Sequence, residues 1–236
     1  MEKYIFDAAM IVVVIIIVAV SAKRGFAISL LSTLSVSLAG FLSYKFTEPV
    51  SEFIYSSFLY SRIEAKFTEV LSGLSTDISF NGKLNAMLES LPKGFVPISE
   101  SFGYNVDFAV DSMQIDSILS DNELVKQFID NIAADIIKSV LEVIVFLILF
   151  VVLSVVLKNL SILLNKVVRK IPVVGKANTI LGGTLGLIKS VVIVFVLCIL
   201  VSVIINSMDV VELKNIASTS YVYRFVTDNN PFVDFI

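Results

Sequence analysis

The chain has 236 residues, 56% of them hydrophobic and 17% charged, with a mean hydropathy of +0.91, well above the roughly 45 to 50% apolar share of water-soluble domains. Such a composition belongs to a membrane protein. With 0 His, 0 Trp and 1 Cys, it lacks the residues for His-based hydrolysis, a His-ligated metal, paired-thiol redox chemistry or an internal disulfide. The chain is therefore read as a non-enzyme without cofactor or metal, and the net charge of -3 as an average over two oppositely charged surfaces.

In chain order, the first apolar run covers about 4–22, close to the roughly 20 residues needed to cross a 30 Å hydrocarbon layer. It is read as a retained span, because Lys23 and Arg24 follow its core whereas a signal sequence carries its positive charge in front. Asp7 falls roughly 5 Å inside the surface at about 1.5 Å per residue. Across the Lys23-Arg24 connector, a second run covers about 25–46. Wound at 100° per residue, Ser29, Ser32, Thr33, Ser37, Ala39, Gly40 and Ser43 share an arc of roughly 160°, opposite Leu30, Leu31, Leu34, Leu38, Phe41 and Leu42. Small residues and hydroxyls mark helix contacts in lipid, so this face should meet another helix.

Residues 47–135 form a long insertion, acidic in balance, with fourteen Asp and Glu against five Lys and Arg from Glu48 to Asp135. From Pro49 to Leu74 the residues Phe53, Ile54, Phe58, Ile63, Phe67, Val70, Leu71 and Leu74 recur near helical spacing. Gly73, Asn81-Gly82 and the stretch from Pro92 to Pro97 read as punctuation. Asp111, Asp116, Asp121 and Glu123 do not match a calcium loop and read as a solvated face. Ser120 with Glu123 fits a capping box, opening a helix that runs through Asp130 into the third span.

That third span covers about 136–157 and carries Glu142, roughly 9 Å below the surface. An ionisable group at that depth is a functional candidate, with Lys138 one turn away and Lys45 and Asp7 at similar depth. The connector 158–179 has only basic charges, Lys158, Lys166, Arg169, Lys170 and Lys176, and its apolar stripe from Leu160 to Val168 suits a helix on a membrane surface, where anionic lipid attracts Lys and Arg. The fourth span covers about 180–205 and holds Gly182 and Gly186 as a GxxxG, a sign of close helix crossing with another span or a second copy. Lys189 lies roughly 6 to 13 Å deep, too far from Glu142 for a direct pair, and is read as snorkelling toward the nearer surface. Residues 206–236 form a tail.

Basic residues in short loops beside membrane helices stay cytoplasmic. Both connectors are then inside, and both termini and the 47–135 insertion outside. The expected fold is an all-α integral membrane protein, with four transmembrane helices and a partly helical extracytoplasmic insertion between spans 2 and 3. Hairpins occupy 1–46 and 136–205.

Two segments carry a resemblance. Asp7 in an apolar run followed by Lys23-Arg24-Gly25-Phe26 resembles the opening of the colicin V production protein family (CvpA-like), with Ser21 in the region where that family commonly has Gly. The run Ile171-Pro172-Val173-Val174-Gly175, followed by Asn178, Leu181-Gly182, Gly186 and Lys189, is similar to the family's second signature, a Pro and Gly turn leading into a Gly-rich final helix. The resemblance is placed on the four spans, leaving out the insertion and the tail. It implies a bacterial inner-membrane protein needed for production or export of a peptide toxin, and brings no catalytic residues. The expected role is a non-enzymatic envelope scaffold or secretion accessory; the alternative is a small transporter or channel using Glu142 and Asp7. Expected partners are the bilayer, anionic lipid at the basic connector, membrane or envelope proteins, and a second copy through Gly182 and Gly186, with no nucleic acid.

Overall fold

A computed structural model of the protein describes residues 4–75, 78–101, 104–106, 120–168, 176–208 and 211–229. Every regular element among them is helical. In chain order they are α1 (Ile5–Arg24), α2 (Phe26–Ile54), a π-helical segment (Tyr55–Leu59), α3 (Tyr60–Ser72), α4 (Phe80–Glu89), α5 (Phe95–Ser101), α6 (Asp121–Phe128), a second π-helical segment (Ile129–Ala133), α7 (Ala134–Val168), α8 (Lys176–Met208), α9 (Val211–Ser218) and α10 (Tyr221–Asp228). Four helical stretches are long and apolar enough to cross a membrane, where only a helix or a closed barrel keeps every backbone group bonded. The fold is all-α, as the composition and periodicity predict.

Helix limits exceed the predicted spans. At 35 and 33 residues, α7 and α8 run to about 50 Å each at 1.5 Å per residue, so both extend beyond the hydrocarbon into what reads in sequence as connector and tail. Proline does not stop α2 either: Pro49 lies inside it. The Pro172 and Gly175 turn, Arg169, Lys170, Asp111, Asp116 and Asp234 lie outside the described residues.

The chain divides into two compact units. The first comprises Met1–Thr47, Ile144–Ser202 and Val210–Asn229. A single residue, Gly25, joins α1 to α2, with φ 78° and ψ 172°, a backbone region essentially reserved for glycine. The small face of α2 is turned inward: Ser29, Thr33, Ala39 and Ser43 are buried while Leu34, Leu38 and Phe41 are exposed. Ile11, Val12, Ile15 and Ile16 on α1 and Ile148, Val151, Val152, Val155 and Val156 on α7 are also exposed. A continuous aliphatic surface of this kind is foreign to a water-soluble monomer and suits lipid. The tail is folded as well. Val226 on α10 joins Phe6, Met10, Val194 and Cys198 in one apolar cluster, with Ile216 of α9 packed against it.

The second unit comprises Glu48–Val143, Val203–Asp209 and Asn230–Ile236. Its core gathers Phe67 and Leu71 of α3, Leu84 and Met87 of α4, Val125 and Phe128 of α6, and Ile129, Ile132 and Ile136 beyond. Phe67 and Phe128 meet edge to face at 5.1 Å. The capping box holds as predicted: Glu123 N donates to Ser120 Oγ at 3.4 Å, and Ser120 N to Glu123 Oε2 at 3.2 Å. The helix it opens runs on through Asp130 in the π segment into α7.

Two sequence expectations fail in this unit. Asn81-Gly82 is no break, because Ser79 caps α4 by accepting from Gly82 N at 3.3 Å, which places both residues in the first turn. Phe53 and Phe58 are not in the core; they are 62% and 59% exposed, while Tyr55 is buried. The cause is the π segment from Tyr55 to Leu59, whose wider turn breaks the 3.6-residue period on which the predicted stripe rests.

Candidate functional site

The conformation of Gly25 frees the next backbone amide to leave the helix ladder, and Phe26 N donates to Asn178 Oδ1 at 2.6 Å. This bond ties the α1–α2 turn to the first turn of α8. One turn further, Gly182 sits against the turn so closely that an added Cβ would lie 2.8 Å from Ser21 O and 3.0 Å from Gly25 C. At Gly186 a Cβ would lie 2.7 Å from Ser21 Cβ and 3.0 Å from Val18 Cα. Both glycines of the GxxxG therefore face α1 of the same chain. Ser21 is the residue they close on. Ser29 Oγ donates to Ser21 O at 2.7 Å and Thr33 Oγ1 to Leu185 O at 3.0 Å. Lys189 Nζ donates to Ser32 Oγ at 2.8 Å, so its ammonium is anchored on α2.

Asp7 is engaged elsewhere in the first unit. Its carboxylate accepts from Ser220 Oγ at 2.6 Å, from Val222 N at 3.0 Å and from Tyr221 N at 3.2 Å. Ser220 is itself the N-cap of α10, accepting from Tyr223 N at 3.0 Å. A carboxylate on the free amides of a helix start is a favourable use of a buried charge. Phe6 adds an edge-to-face contact with Tyr223 at 5.7 Å, and burial raises the Tyr223 hydroxyl above its ordinary range, beside Ser202 on α8.

In the second unit Lys138 does not pair with Glu142. It binds Glu52 at 2.7 Å and lies 4.9 Å over the Tyr55 ring. Glu142 is partly exposed, with Glu48, Lys138 and Glu52 as the charges around it. Lys45, which belongs to the first unit, stands over the ring of Tyr44 at 6.0 Å.

Of the residues singled out in the sequence, Arg24, Gly25, Phe26, Gly182, Gly186 and Lys189 thus gather around the α1–α2 turn and the start of α8. Lys23 is exposed beside them. Asp7 and Glu142 belong to other constellations, and Pro172 and Gly175 lie outside the described residues. The acceptor role of Asn178 and the capping role of Ser220 were not foreseen. Ser220 had a signal, a Ser opening an amphipathic stretch after a polar Ser-Thr pair, whereas an Asn side chain bonding across 152 positions has none.

Residues 122–231 match the family described as colicin V production protein, a little under half of the 236 residues. Comparison with curated proteins and with solved structures gives no match. The matched region runs from α6 to beyond α10. It includes the Pro-Gly signature, extends past the spans into the end of the insertion and most of the tail, where no resemblance was expected, and does not reach the Lys23-Arg24-Gly25-Phe26 element. With four helices long and apolar enough to cross a membrane, the chain is a membrane protein whose residues 122–231 match the colicin V production protein family.

Proposed function

We propose that the protein is a multi-pass component of the bacterial cytoplasmic membrane that serves peptide-toxin production as a non-enzymatic scaffold or secretion accessory. The family match over residues 122–231 supports a link to colicin V production. The scaffold reading rests on one observation: the conspicuous polar and small residues of the first unit are spent on holding helices together. Asp7 caps α10, and Gly182 and Gly186 close on Ser21. Because α1 fills both glycine notches, association of two copies would use another face. Both termini and the 47–135 insertion lie outside in this reading, with Lys23, Arg24 and the 158–179 connector at the cytoplasmic face, where anionic lipid would meet the basic residues.

Deleting the gene in a strain that makes a peptide toxin should lower the released toxin while the intracellular pool persists. Equal release with and without the protein would sink the assignment. Crosslinking in the intact membrane should then capture components of the toxin-export route.

A transporter reading keeps one support. Glu142 lies within an apolar helix and its nearest lysine is taken by Glu52. Asp7 gives it none, since that carboxylate is engaged. Unchanged solute or ion flux in proteoliposomes carrying Glu142→Gln would remove the remaining support.

A further inference from the structure

Four helices of the first unit, α1, α2, α7 and α8, border a cleft of about 540 Å³, within the roughly 300 to 1,000 Å³ of small-ligand sites. Its lining includes Arg24, Lys158 and Lys189 and no carboxylate. Among the described residues none of these cations has an ion-pair partner, and the charges that act on Lys189 are the like charges of Arg24 and Lys158. Cations gathered beside a low-dielectric region repel one another unless an anion joins them.

The position of Lys189 sharpens the point. The contact of Gly182 with Gly25 sets the register of α8, and Lys189 stands seven residues further on, about 10 Å deeper. Its bond to Ser32 occupies one of three ammonium hydrogens and supplies no charge. A hydroxyl on the wall is also unused: Ser154 Oγ is buried without a partner among the described residues. Ser35, Ser43 and Ser161, by contrast, bond the carbonyl four residues back at 2.7 to 2.8 Å, the usual resort of a helical serine.

The aliphatic side of the cleft opens sideways. Ile16 and Val20 line it and are nonetheless 56% and 40% exposed, continuous with the aliphatic surface of α1. An acyl chain can leave by that opening into the bilayer, whereas a water-soluble anion would have to cross hydrocarbon to use it.

We propose that this cleft binds one anionic phospholipid, its phosphate held by Arg24, Lys158 and Lys189 and an acyl chain lying against Ile16 and Val20. The inference rests on the membrane placement of the chain and is independent of its orientation and of the toxin role. Since the chain has 0 Trp, Ile17→Trp installs a single fluorophore in the cleft wall. The full chain is reconstituted in phosphatidylcholine vesicles containing either brominated phosphatidylglycerol or brominated phosphatidylcholine. At about 1 kcal/mol per basic residue, three cations give a preference of tenfold or more, so half-quenching should need about one-tenth the fraction of brominated phosphatidylglycerol. The preference should fall with Lys189→Gln, and with the pair Arg24→Gln and Lys158→Gln, whose exposed side chains leave folding intact. Equal quenching by the two lipids, or a preference that survives all three substitutions, would overturn the proposal. Recovery of fluorescence on adding millimolar glycerol 1-phosphate would reassign the cleft to a soluble phosphate and overturn the lipid. Absence of quenching by either lipid would mean that no acyl chain enters the cleft, and would overturn the proposal as well.

Discussion

At the scale of single residues, glycine and aspartate carry the specific contacts of the first unit. Alanine at Gly182 or Gly186 would press a methyl group into the backbone or Cβ of α1 at 2.7 to 3.0 Å. Overpacking of that kind costs about 1 to 3 kcal/mol. At Gly183 the nearest atom would lie at 3.6 Å, an ordinary contact, and alanine also favours helix over glycine by about 1 kcal/mol. Gly182→Ala and Gly186→Ala should therefore lower the thermal midpoint of the purified protein, and Gly183→Ala should leave it unchanged or raise it. Equal effects at all three positions would mean that the α1–α8 crossing is not close. Asp7→Ala strands the Ser220 hydroxyl and two amides of α10, and a lost bond to a charged group costs about 1.5 to 3 kcal/mol. The tail should loosen, and trypsin should cut after Arg224, an exposed residue of α10, faster than in the unsubstituted protein. Asp7→Asn, which keeps an acceptor oxygen, should fall between.

Among the elements, the π segments do what regular helix cannot. Ile129–Ala133 interrupts the α6–α7 run just where the apolar face must turn toward α3 and α4, and Ile129 and Ile132 are fully buried there. A π turn disturbs the hydrogen-bond ladder, and Tyr104 Oη lies 3.4 Å from both Asn131 O and Ile132 O, donating to carbonyls of the segment. Burial, with a smaller contribution from Asp135, pushes the Tyr104 phenol up to about 12 from its ordinary 10.0. A group raised in the folded state contributes in full below its unfolded value, and the contribution is lost as pH climbs through the folded one. The second unit should accordingly loosen between about pH 10 and 12, seen as faster hydrogen exchange at Ile132 and Ile136. Tyr104→Phe should cost about 1 kcal/mol at neutral pH and shrink that alkaline step, the remainder belonging to Tyr55 of the same core, which burial also pushes up to about 12. A step of the same size in the variant would assign it to another group.

For the whole molecule, charge distribution is the main determinant of placement. The stretch from Glu48 to Asp135 has a net charge of -9 from fourteen acidic and five basic residues, while the stretch from Lys158 to Lys176 has five basic residues and no acidic one. Large acidic segments cross a membrane regardless of sign, and it is the short basic loops that are retained. Trypsin added outside spheroplasts should therefore cleave near Lys83 and Lys93 and spare Lys158 to Lys176, which become accessible only on lysis. Cleavage within 158–176 from outside would reverse the proposed orientation.

Much of the architecture is legible without coordinates because its causes are local. Apolar length identifies four membrane-length helices, residue size sorts the two faces of α2, and the Ser120 and Glu123 spacing marks where α6 begins. Each depends on residues within a few turns of one another. What tertiary structure decided depends on partners far apart in sequence. Asp7 bonds Ser220 across 213 positions and Phe26 bonds Asn178 across 152, and no pattern at either end announces the other. Periodicity failed where the helix changed type, burying Tyr55 and turning out Phe53 and Phe58. Within lipid the difficulty is deeper: a residue facing hydrocarbon and one facing a neighbouring helix are both apolar, so hydrophobic pattern cannot tell them apart. Sequence alone thus pointed to a close helix crossing at Gly182 and Gly186, and only the fold determined that α1 of the same chain makes it.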